Sequence, residues 1–125
     1  QANGIQVKKS GKERAKNKAD KANKIEACFM IGKNAIAETG SKNVYLRIEG
    51  PDGVVLASGT ESNKFEADGE QLMYSAMKEI NYNGGSEDMC MGFRLPDNSE
   101  FKAGRYAISV YADGKKIGET GLTLE

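Results

Sequence analysis

The chain has 125 residues, 38% hydrophobic and 29% charged, the mix of one soluble globular domain. Eighteen basic and eighteen acidic side chains cancel, which removes any whole-chain attraction to nucleic acid or to a membrane surface. There is no histidine, hence no imidazole for a metal and no His-based triad, and no apolar run approaches the ~18 residues of a membrane span.

The zero sum hides a division. Residues 1–24 carry eight basic and two acidic side chains; residues 25–125 carry ten basic and sixteen acidic ones. The first stretch has few large apolar residues beyond Ile5 and Val7, so it must lie on the acidic body or trail from it. It reads as a basic N-terminal segment, a first strand plus connection, ahead of a domain at 25–125. Lys8, Lys9, Lys12, Arg14, Lys16 and Lys18 form a candidate polyanion contact, against the plainer reading of a solvated loop that complements the body. No aromatic side chain interleaves with them, which argues against nucleic acid. With no initiator methionine and no apolar leader, Gln1 is expected to follow a cleavage or a cut in a longer chain.

In chain order, Gly4–Lys9 alternates apolar and polar residues up to a Ser10–Gly11 turn. Lys12–Ala22 has no apolar stripe and reads as a weak polar helix or an irregular loop. Ile25, Ala27, Phe29 and Ile31 alternate along a strand that Gly32-Lys33-Asn34 ends, and Ala35–Ser41 reads as a connection. Val44, Leu46 and Ile48 mark the next strand. Gly50-Pro51-Asp52-Gly53 turns the chain into Val54–Ala57, its expected hairpin partner. Ser58–Glu70 is polar, with Phe65 as its one large anchor. Leu72–Tyr82 fits helix or strand, and strand is preferred beside strand neighbours.

Asn83-Gly84-Gly85-Ser86 is a turn, and Met89, Met91, Phe93 and Leu95 alternate as core-filling residues until Pro96-Asp97-Asn98-Ser99. Tyr106, Ile108, Val110 and Ala112 form another strand, and Asp113–Gly114 is a hairpin turn. Ile117 and Leu122 differ in parity, which requires a bulge near Gly118 or Gly121. Short strands punctuated by turns predict an all-β fold, an immunoglobulin-like antiparallel β-sandwich of about seven or eight strands.

The chemical inventory is thin. Cys28 and Cys90 stand 62 residues apart, a separation like that of the inter-sheet bridge in immunoglobulin domains, but there is no tryptophan and each cysteine lies opposite its strand's apolar row. Two readings stay open: a Cys28–Cys90 disulfide, cross-strand or at an edge, or two separate half-buried thiols. No residues are assigned as catalytic, metal-binding or cofactor-binding. Glu87 and Asp88 lack calcium-loop spacing and read as a solvated turn. The five tyrosines (Tyr45, Tyr74, Tyr82, Tyr106 and Tyr111) would offer a carbohydrate platform if they clustered. A hydrolase built on carboxylates alone would need two carboxyl groups roughly 5–9.5 Å apart in a groove.

Several motifs carry a family resemblance: Asn23–Phe29, Val44–Ile48 with Pro51-Asp52-Gly53, Met89-Cys90-Met91, Gly104-Arg105-Tyr106, and the hairpin Tyr111–Gly118. Together they resemble the C-terminal β domain of Bacteroidetes-type membrane-anchored coiled-coil proteins, which often carry a "chromosome partitioning" label. The likeness departs at Gly92, where a bulky strand residue is expected. The resemblance implies a C-terminal piece of such a protein on the periplasmic or extracellular side of the cell envelope. It also implies Gly4–Lys9 as a first strand, with Lys12–Asn23 as its connection. The expected role is a non-enzymatic structural or protein-interaction module without a cofactor. Its partner would be a protein, with a glycan or polyanion as the alternative; neither nucleic acid nor direct membrane insertion by this segment is expected.

Overall fold

Period-two apolar spacing means that one face of each strand is buried, and two such faces must meet. The computed structural model describes residues 2–32, 39–57, 63–96 and 99–125, and is all-β there. The strands are β1 (Ala2–Val7), β2 (Glu13–Ala15), β3 (Lys24–Ile31), β4 (Gly40–Glu49), β5 (Lys64–Ala67), β6 (Glu70–Met73), β7 (Ala76–Tyr82), β8 (Glu87–Arg94), β9 (Gly104–Ala112) and β10 (Lys115–Leu124). One sheet has the order β2-β1-β3-β8, a second β10-β9-β4-β7, and β5-β6 forms a small third; every pairing is antiparallel.

The main core lies between the two four-stranded sheets. Ile25, Ala27 and Ile31 of β3 and Met89, Met91 and Phe93 of β8 meet Val44, Leu46 and Ile48 of β4 and Tyr106, Ile108 and Val110 of β9. These are the alternating rows of the sequence, and the architecture is that of a β-sandwich.

Ten strands among the described residues exceed the seven or eight expected, for identifiable reasons. Within Lys12–Ala22, neither helix nor loop throughout, Glu13–Ala15 pairs with β1 through backbone alone, with no apolar alternation to announce it. Lys18–Ala22 is a single turn in which the Ala22 N–H donates to the Lys18 carbonyl. Residues 64–73 form a hairpin on Asp68–Gly69, both with positive φ (53° and 80°), the conformation also taken at Asp113–Gly114. Leu72–Tyr82 is strand, but in two pieces. Ser75 is buried and its Oγ accepts the Ile48 N–H at 2.9 Å, so the chain bends there from β6 onto the edge of the second sheet. Val54–Ala57 makes one bridge, Val55 with Glu49, in place of a full hairpin strand. The β10 bulge falls between Lys116 and Gly118. The readings at Lys33–Asn34, at Ala35–Glu38 within the expected connection, at Ser58–Ser62 and at Asp97–Asn98 lie outside the described residues.

The basic segment is woven into the first sheet, so the division at residue 24 is one of composition and not of packing. The Asn23 side chain accepts from the Val7 N–H at 2.8 Å and donates to the Val7 carbonyl at 3.0 Å, acting as one more rung of the ladder. At the far seam the Glu125 N–H donates to the Asn17 carbonyl, and the Ala19 N–H to the Glu125 carbonyl. Gly4 sits under this clasp. A Cβ there would collide with the Lys16 carbonyl oxygen and press on Leu124 and Ala22. Gly92, the residue that departs from the expected bulky position, gives the Lys24 stem room to cross the outer face of β8.

Gly4→Ala is therefore expected to lower unfolding stability by about 1–3 kcal/mol, because backbone must move to admit the methyl. Gly92→Ala should cost no more than about 0.5 kcal/mol, because the end of Lys24 swings aside. Urea titration of both variants checks the contrast.

Candidate functional site

Three places in this frame bring chemistry-bearing residues together. The first is the outer face of the β3–β8 pair. Cys28 faces Cys90 in register, and the sulfurs are bonded at 2.07 Å. The Cα–Cα distance of 4.1 Å belongs to the narrow, non-hydrogen-bonded pairing of antiparallel strands. The bridge thus lies within one sheet, on its solvent side, and not between two sheets as in immunoglobulin domains. Glu26, Cys28 and Cys90 place an oxygen and two sulfurs within 4.8 Å of one another, but both sulfurs are consumed by the bond and neither is a thiolate ligand. Glu87 and Asp88 are successive strand residues and point to opposite faces, so they do not converge on one ion.

The second is a small opening at one end of the sandwich, between residues 50–56 on one side and residue 95 and residues 100–106 on the other. It is lined largely by apolar groups, among them Leu56, Leu95, Phe101 and Tyr106. The Lys102 Nζ meets Asp52 Oδ2 at 2.7 Å across its rim. Pro51 seats against Gly104, whose φ of 138° and absent side chain allow the approach. The Tyr106 hydroxyl donates to the Lys102 carbonyl at 2.6 Å, four residues upstream, with its ring edge-on to Phe101. The cavity measures about 120 Å³, below the ~300 Å³ at which small-molecule sites begin. Lys102 donation, aided by the Val54 N–H, holds the Asp52 carboxyl below its usual range, the opposite of what a general acid needs. Burial pushes the Tyr106 phenol up, so it stays a neutral donor.

The third is the tyrosine set. Tyr45, Tyr74 and Tyr111 do come together, but around Phe65 of the β5–β6 hairpin, which lies over the outer face of the second sheet. Tyr45 and Phe65 stack at 4.5 Å and Phe65 meets Tyr111 edge-on at 5.1 Å, so these rings occupy one another. Tyr82 and Tyr106 belong to the main core. The five therefore do not build an open sugar platform.

Lys8, Lys9, Lys12, Arg14, Lys16 and Lys18 are all exposed along the β1–β2 hairpin and the turn that follows it. No sequence pattern announces the Asp52–Lys102 pair, and the one signal for the Tyr106 bond is the glycine two residues before a strand-opening tyrosine.

Across its whole length, residues 1–125, the chain matches the family model described as Domain of unknown function (DUF8428). The chain belongs to this family. No curated protein and no solved structure matches it. Among the described residues of this family member, no helix is long and apolar enough to cross a membrane.

Tyr106→Phe is expected to cost about 0.5–1.5 kcal/mol in urea unfolding, the worth of one neutral hydrogen bond. Asp52→Asn should lose the rim pair. Because the folded Asp52 pKa is depressed, its contribution is full above the ordinary carboxylate range and fades as pH falls through the folded value. The stability gap between wild type and D52N should therefore close in acid, as read by melting temperature against pH.

Proposed function

We propose that the domain is an immunoglobulin-like module on the periplasmic or extracellular side of a cell-envelope protein. It holds structure or binds a partner through its surfaces, and no reaction is assigned to it. The strand order supports the fold type. β1, β3 and β8 stand where strands A, B and E stand in that fold, and β7, β4, β9 and β10 where C′, C, F and G stand. On this reading β2 is an added edge strand beside A, and β5–β6 is inserted between C and C′. Tyr106, at the start of β9 with its hydroxyl bound four residues back, matches the tyrosine corner. The intra-sheet bridge, between B and E on this reading, departs from the inter-sheet B–F bridge of antibody domains.

The observation that carries the envelope placement is the Cys28–Cys90 bridge on a solvent-facing sheet surface. A thiol pair so placed stays oxidised where the compartment is oxidising and is held reduced in a bacterial cytosol. The strand motifs that resemble the C-terminal domain of membrane-anchored coiled-coil proteins agree with that side of the membrane. Surfaces are what remains for function once the inward rows fill the interior.

Protein secreted into an oxidising compartment should show no titratable thiol when denatured, and two after reduction. Its stability should fall by about 2–4 kcal/mol on reduction, the typical worth of a disulfide. Two free thiols in the secreted protein, or unchanged stability on reduction, would overturn the placement.

A further inference from the structure

The cations of the β1–β2 hairpin and of the turn after it stand apart from five others in the chain. Lys24, Lys42, Arg47, Lys102 and Lys116 each sit in an ion pair. None of Lys8, Lys9, Lys12, Arg14, Lys16 and Lys18 does, among the described residues. Glu13, the one acid on β2, is taken by Lys24 at 3.4 Å. β2 is the outermost strand of its sheet. Lys12, Arg14 and Lys16 recur at every second residue on the side opposite Glu13, so they form a row with a spacing of about 6.7 Å.

The backbone holds that row rigidly. The Lys16 N–H donates to the Gly4 carbonyl and the Lys8 N–H to the Lys12 carbonyl, one at each end of β2, and Asn17 is tied to Glu125. Charges this close lie within one Debye length of each other, so they repel in the free protein and favour any dense run of anions. Residues 2–23 contain no aromatic ring on which a nucleic-acid base would stack. Residues 8–18 carry no large apolar side chain to enter a bilayer.

We infer that this hairpin docks an acidic polysaccharide, laid along β2 with its anionic groups against Lys12, Arg14 and Lys16, while Lys8 and Lys9 reach over it from the tip. The inference rests on the interaction-module reading above and names its surface and its partner's chemistry.

The test uses the whole chain and heparin as probe, with affinity measured from low to physiological salt. Binding should weaken as salt rises. The triple variant Lys12→Gln, Arg14→Gln, Lys16→Gln should bind roughly tenfold more weakly or worse, three exposed pairings being lost. Its melting temperature should hold or rise, because repulsion is relieved. A control with the same loss of charge elsewhere, Lys64→Gln, Lys78→Gln, Lys115→Gln, should keep its affinity. Absence of heparin binding at low salt overturns the inference, as does equal weakening in the control. So does equal or tighter binding to single-stranded DNA, or to vesicles of phosphatidylglycerol and phosphatidylcholine in equal parts. None of these results bears on the thiol titration, which judges the envelope placement separately.

Discussion

The register between β3 and β8 governs the rest of the molecule. Cys28 faces Cys90 as a narrow cross-strand pair, and the covalent bond closes a loop that spans β4 to β7. Side chains alternate with period two, so a bond on the outer face commits Ala27, Met91, Phe29 and Met89 to the inner one. A slip of one residue would turn the apolar row of one of the two strands to water and bring Glu26 or Arg94 inward. The bridge therefore constrains far more than two residues, although it lies outside the core that it organises.

The opposite seam is closed without covalent help. Asn23 lengthens the β1 ladder with its side chain, and Gly4 lets the following turn come close enough for Asn17 and Ala19 to bond with Glu125. The first residues of the chain, which have too little apolar surface for a core, are held by backbone bonds to strands that do have one. The consequence is electrostatic: a rigid, basic outer strand on a body with an excess of acidic groups. Folding has already fixed the backbone that gathers these cations, so only their exposed side chains remain to be ordered on binding.

The legible part of the fold was whatever the core dictates. The rows at Ile25–Ile31, Val44–Ile48, Met89–Phe93 and Tyr106–Ala112 were readable because burial of one face leaves a period of two. The turn at Asp113–Gly114 was readable because it separates two such rows. Asp68–Gly69 is the same dipeptide in the same conformation, but its hairpin rests on an outer face through Phe65, Ala67 and Leu72, and polar residues dilute the alternation. β2 was illegible because its pairing is made by backbone alone. The break at Ser75 depends on a hydrogen bond to Ile48, 27 residues away in sequence, which no local pattern announces. Among candidate functional residues, the basic row was legible by composition, and its placement on an outermost strand was not. The cysteine parity was visible in the sequence, and its meaning, a bond on the outside of one sheet, required the register.

That register is open to direct measurement by nuclear Overhauser spectroscopy of the oxidised protein. Non-hydrogen-bonded antiparallel pairs bring Hα atoms of facing residues together. Strong Hα–Hα contacts are expected for Cys28 with Cys90, Glu26 with Gly92 and Met30 with Asp88, with none of similar strength for Ala27 with Met91. Contacts that instead join Cys28 to Met89 or Met91, or an absence of Hα–Hα contacts along this pair of strands, would contradict the account.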